Sequence, residues 1–156
     1  MILAPADIGD KLEELIHGLF PGETTYRELV ESDFDRPSNL IVQEECKGIV
    51  GYGCNNVELQ PVFTVTTYVP VDEYHNSHLN ALHERQMRLL GLLMPGYIRV
   101  KDRAAKVIGV DLGGGYDFDT VTVKFSYVLD RNDFIEIEQR PLMQTLHTNE
   151  EVTTHG

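Results

Sequence analysis

Apolar residues recur along this chain with two periods, and each change of period marks out an element. Ile8, Leu12, Leu15, Ile16 and Leu19 recur at helical spacing and Phe20 closes the stripe. Asp7 or Asp10 is positioned to cap this first helix, and Pro21-Gly22 stops it. Thr24 to Val30 then reads as a strand, followed by a turn-rich connection from Glu31 to Pro37. A second strand is predicted over Asn39–Glu44, and the Gly-containing stretch Lys47–Asn56 reads as a long hairpin connection. The most regular alternation follows. From Val57 to Val69, the residues Val57, Leu59, Pro61, Phe63, Val65 and Thr67 share one face, opposite Glu58, Gln60, Val62, Thr64, Thr66 and Tyr68. Pro61 predicts a sheet edge or a bulge there.

Pro70 ends that strand, and a second helix is predicted from about Tyr74 to Leu93, striped by Leu79, Leu82, Gln86, Leu89 and Leu93 and stopped by Pro95-Gly96. Two more strands are predicted, Ala105–Leu112 and Thr120–Leu129, joined through Gly113-Gly114-Gly115. Beyond Asp130 the pattern weakens. Phe134–Glu138 reads as one more strand or an extended arm, Pro141–Leu146 is apolar without a period, and 147–156 is a polar, mobile terminus. No repeat or linker divides the sequence. The expectation is therefore a single α+β domain over residues 1–146, with 131–146 as an interaction arm. Its mostly antiparallel or mixed sheet has about five strands, and its two helices pack on one face.

Charge narrows the choice of partners. Asp plus Glu number 25 against 13 Lys plus Arg, a net charge of −12. Polyanion binding is driven by Lys and Arg displacing counterions, so direct nucleic-acid binding and anionic-membrane binding are both disfavoured. Met1–Asp7 lacks the basic start and apolar stretch of a signal peptide, and no apolar run is long enough to span a membrane. Cys46 and Cys54 form no C-x-x-C pair and read as reduced, ordinary cysteines of a cytosolic protein.

Candidate chemistry is thin. The stretch from Ile108 to Gly115, with Asp111 ahead of three glycines, is similar to the phosphate loop of the actin and sugar-kinase superfamily. That superfamily needs several such motifs on a longer, two-lobed chain, so a glycine hairpin turn is expected instead. His75, His78 and His83 gather near the start of the second helix, but their spacing suits joint zinc ligation poorly, and Met87 stands where H-E-x-x-H needs its second histidine. No G-x-S-x-G elbow occurs, and neither cysteine has a basic pair to lower its pKa. Catalytic residues, cofactor and metal are each expected to be none.

At Arg36-Pro37 running into Leu40-Ile41-Val42 the chain resembles the tail terminator (tail-tube capping) family of long-tailed bacteriophages. The resemblance lies in the order of motifs across residues 8–146. A short helix ends at Leu19-Phe20-Pro21-Gly22, then comes a short strand with Tyr26, and then the Arg36-Pro37 segment. A long strand ends in Tyr68-Val69-Pro70, followed by a leucine-striped helix from Leu79 to Leu93 and a closing pair of strands, Val107–Val110 and Val121–Tyr127. The resemblance implies a ring, usually of six subunits, that caps the tail tube, meets the head connector and lies in the virion after assembly in the host cytoplasm. DNA would pass through without being bound, repelled by an acidic lumen. Tyr52, Phe134, Ile135, Ile137, Leu142, Met143 and Leu146 are the expected interface residues. Alternatives are a head–tail joining (neck) protein, a non-viral α+β binding module using the hairpin 47–56, or an enzyme resting on Asp111 or the histidines.

Overall fold

Two fifteen-residue helices and six strands follow one another in the order α1 (Pro5–Leu19), β1 (Thr24–Arg27), β2 (Ser38–Val50), β3 (Asn56–Tyr68), α2 (Leu79–Leu93), β4 (Tyr97–Val100), β5 (Arg103–Gly114) and β6 (Phe118–Asp130). The computed structural model describes residues 2–30, 32–51, 55–72 and 78–134. The strands form one sheet in the order β1-β2-β3-β6-β5-β4; β1 is parallel to β2, and every other neighbouring pair is antiparallel. The class is α+β as the pattern predicts, with six strands where about five are expected.

The core explains why the two periods coexist. Phe63, Val65, Val121, Val123, Phe125, Tyr127 and Leu129 alternate along β3 and β6 and bury one face of the sheet. Ile8, Leu12, Ile16, Leu89 and Leu93 from the two helical stripes complete that core. The opposite face, from Leu40, Val42, Thr64 and Thr66 to Thr122, Lys124 and Ser126, has no helix over it among the described residues and is mostly half-buried.

Several boundaries differ from the pattern-based ones, each for a physical reason. Helix α1 begins at Pro5, with Ala4 as its cap residue, and Asp7 serves from inside the first turn by accepting the Ala4 N–H at 2.8 Å. β1 stops at Arg27 because Glu28 takes a left-handed backbone angle, φ 68°. Within the predicted connection 47–56, Lys47–Val50 and Asn56 are strand, since β2 pairs with β3 all the way to Val50↔Val57. β3 is a central strand, and Pro61 falls where the β3–β6 register omits Gln60 and Pro61 and close to the β2 irregularity between Gln43 and Glu45. The described part of the second helix starts at Leu79. The short β4 was not predicted.

The two halves of the chain repeat one order that the sequence does not display. Each half is a fifteen-residue helix, a four-residue strand and two strands of 12 or 13 residues. Each helix is followed by Pro-Gly with a left-handed glycine, Gly22 at φ 83° and Gly96 at φ 87°. The sheet order is consequently palindromic about the β3–β6 seam. Only the direction of the short strands breaks the correspondence, because β1 is parallel to its neighbour and β4 antiparallel.

Partly buried arginines fasten the periphery. Arg85 on α2 donates two hydrogen bonds to Glu23, at 2.8 and 2.6 Å, and one to the Thr67 hydroxyl at 2.7 Å, and its guanidinium lies 4.1 Å from the Phe20 ring centre. Arg36 donates to the Asp117 carboxylate at 3.0 Å and the Val69 carbonyl at 3.1 Å, beside the rings of Phe34 and Tyr68. The 32–37 connection is thereby held across the sheet face opposite the helices.

Candidate interaction surface

The sheet has two borders, and both are stepped. The end where β2 begins is taken as the lower end and the β2–β3 hairpin tip as the upper. On one border β1 covers only Ser38–Ile41 of β2. Glu28 turns the chain away there, and its carboxylate accepts the Gln43 N–H at 3.2 Å. From Glu44 to Val50 the outer edge of β2 has no strand partner among the described residues. On the other border β4 covers only Arg103–Lys106 of β5, and the Val107 N–H closes the pairing by donating to the Gly96 carbonyl at 2.8 Å. Below it, from Ile108 to Gly114, β5 has no outer strand among the described residues.

Open strand edges invite pairing, and proteins that keep them free usually blunt them with charge or proline. On β5 the blunting by charge is slight, whereas β2 carries three charges. The β5 stretch carries one charge, Asp111, and exposes Ile108 and Leu112. The β2 stretch exposes Ile49 and Val50, the latter 63% accessible, alongside Glu44, Glu45 and Lys47. Tyr97, half exposed, completes the apolar rim on β4 beside Arg99.

Charge is unevenly placed. On the sheet face away from the helices, Glu45, Glu58 and Asp111 are balanced by Lys47, Lys106 and Lys124. The Glu58 carboxyl is held below its ordinary range by hydrogen bonds, first from Ser126 and then from Gln60. Asp33, Asp35 and Asp72 are exposed in the loops at the lower end.

At the hairpin tip a notch of about 240 Å³ is lined by Val50, Asn55, Asn56, Val57, Leu129 and Phe134 among others. Phe134 is the one predicted interface residue among the described residues. It is 52% exposed and lies in a helical turn, 131–134, rather than a strand. Tyr52, Ile135, Ile137, Leu142, Met143 and Leu146 lie outside the described residues, as does His75.

The remaining candidates separate. His83 shares a 3.0 Å hydrogen bond with Asp119, a buried carboxylate at the start of β6, and His78 is exposed in front of α2. No group of three metal-ligating side chains occurs among the described residues. Asp111 points with Thr122 to the face away from the helices. The glycine hairpin is filled from within: a Cβ on Gly114 would lie 2.3 Å from an Asp119 carboxylate oxygen, and one on Gly115 2.6 Å from the Phe118 ring. A carboxylate in that place opposes a phosphate. Cys46 is exposed on β2, with its thiol pKa pushed up by partial burial.

Sequence reasoning missed the β4 border, Tyr97 and Arg99 included. The signal present was the repeat of Pro-Gly before a short run with an aromatic residue, Pro21-Gly22 before Thr24–Arg27 and Pro95-Gly96 before Tyr97–Val100. No helix among the described residues is long and apolar enough to cross a membrane. No protein-family model matches the chain, and no curated protein matches it.

Proposed function

We propose that this chain is a structural virion protein of a long-tailed bacteriophage that assembles as a ring, six subunits in the leading form, capping the tail tube and joining it to the head connector. Two independent lines support the reading. One is the order of motifs described from the sequence, from Leu19-Phe20-Pro21-Gly22 through Arg36-Pro37 to Tyr68-Val69-Pro70. The other, which carries most weight, is that among the described residues the sheet ends in two unlike borders without an outer strand along part of their length. A ring closes through a head-to-tail contact between different surfaces, and strand edges supply such surfaces with backbone hydrogen bonds. Partners in this reading are further copies of the chain, the tail tube protein and the connector, with DNA as transiting cargo.

The test is the size of the purified protein by chromatography with light scattering, followed by electron microscopy with isolated tail tubes. A hexamer, or rings seated on tube ends, is the expected result. A monomer at every concentration that also leaves tube ends bare would overturn the reading. A neck position is separated by the same images, since a neck protein would decorate the connector and not the tube.

A further inference from the structure

We infer that the two stepped borders mesh as a half-lap joint, β4 of one copy filling the step above β1 of the next. The inference rests on the ring reading and specifies its contact. At the lower level the sheet comprises β1, β2, β3, β6 and β5; at the upper level it comprises β2, β3, β6, β5 and β4. It is therefore equally wide at both levels but offset by one strand. A second copy related by rotation about an axis along the strands presents a projecting lower strand where the first is recessed, and a recessed upper edge where the first projects.

Strand directions follow from the pairing. Rotation about such an axis preserves direction, so β4 runs parallel to the neighbour's β2, and the neighbour's β1 runs antiparallel to β5. Parallel and antiparallel pairs both satisfy backbone groups. Each projecting strand has four residues, and each recess spans Glu44–Val50 or Ile108–Gly114. The helices of both copies remain on one side of the continued sheet.

Tracing the register across the sheet fixes what meets. Carrying the β3–β6 register from Leu59↔Tyr127 and Val62↔Lys124 across Gln60, and the β5–β6 register from Lys106↔Ser126 on to Arg103, puts Tyr97 level with Lys47 and Val100 level with Val50. On the lower level Tyr26 falls beside Gly113 and Arg27 beside Leu112. The joint thus covers Val50, Ile49, Tyr97 and Leu112, which are all exposed in the single chain. By the same register Arg99 falls beside Ile49, while Glu44 and Glu45 lie below the level of Tyr97. Among the level groups only Glu28 and Asp111 repel, and Glu28 is already bonded to the Gln43 amide.

The test uses the full chain with Cys46 and Cys54 replaced by serine, carrying Lys47→Cys and Tyr97→Cys together. Mild oxidation, or a short bis-maleimide, is expected to yield a covalent ladder ending at the ring size. Each single-cysteine protein should stay uncrosslinked alone, and an equal mixture of the two should give dimers, because the contact is head-to-tail. Ile49→Asp should weaken assembly by about tenfold or more. Rings of the double-cysteine protein that give no ladder would overturn the joint while leaving the ring intact, as would crosslinking of a single-cysteine protein to itself. A wild-type protein that never assembles removes the ring reading, and the joint with it.

Discussion

Removing the Arg85 guanidinium is the sharpest test of how the sheet's lower edge is held to α2. Arg85→Met retains much of the side-chain volume and its apolar stem. It removes both hydrogen bonds to Glu23, the one to Thr67 and the stacking on Phe20. The two charged side chains are only 11% and 19% exposed, so water restores little of what Glu23 loses. Thr67 and Asn39 beside them are fully buried. Breaking a buried pair by removing one partner costs about 3–5 kcal/mol, and the residual exposure points to the lower end, about 3 kcal/mol. For a domain of this size that is a fall in melting temperature of roughly 6–12 °C. Urea unfolding of the wild type, Arg85→Met, Glu23→Gln and the double variant measures it. The double variant should be closer to wild type than the two single losses combined, with a coupling of about 1–2 kcal/mol. A loss under about 1 kcal/mol for Arg85→Met, the size expected of an exposed pair, would refute the reasoning.

Three further outcomes follow from other contacts. Gln86→Leu takes away a buried amide that donates to the Gly113 carbonyl at 2.9 Å and the Thr120 carbonyl at 3.0 Å; a cost of about 2 kcal/mol is expected, with faster hydrogen exchange confined to the β5–β6 hairpin. Gly114→Ala drives a Cβ against the Asp119 carboxylate and should cost about 1–3 kcal/mol in urea unfolding, whereas Gly18→Ala, in open space on α1, should be neutral or stabilising. Tyr127 donates its hydroxyl proton to the Leu3 carbonyl at 2.7 Å, and burial pushes its pKa up to about 12. The neutral form is favoured in the fold, so its stabilisation is complete below pH 10 and is lost as pH rises towards 12. Tyr127→Phe should flatten that alkaline limb of stability against pH, and an unchanged slope would count against the assignment.

Much of the fold is legible in residue order because period and punctuation are local properties. The stripe Ile8–Leu19 between Pro5 and Pro21-Gly22 admits only an amphipathic helix. The alternation Val121–Tyr127 admits only a half-buried strand. Boundaries fail where a long-range contact decides them. Lys47–Val50 reads as the start of a connection because glycines punctuate the stretch that follows Cys46, yet backbone pairing to Val57–Gln60 makes it a strand. Tyr97–Val100 is too short to show a period, and becomes a strand only because Arg103–Lys106 lies beside it.

The surfaces follow the same division. That Ile108 and Leu112 are apolar is a property of the chain; that they have no outer strand among the described residues depends on the pairing of β4 ending at Lys106. The sequence by itself determined two amphipathic helices, the long alternating strands, the apolar core and the acid excess, because each follows from side-chain chemistry at a repeating spacing. Tertiary structure alone decided the palindromic strand order, the offset borders and the pairing of Arg85 with Glu23 and His83 with Asp119. Those depend on which distant segments meet, and backbone hydrogen bonding between strands carries no residue code that could announce its partner in advance.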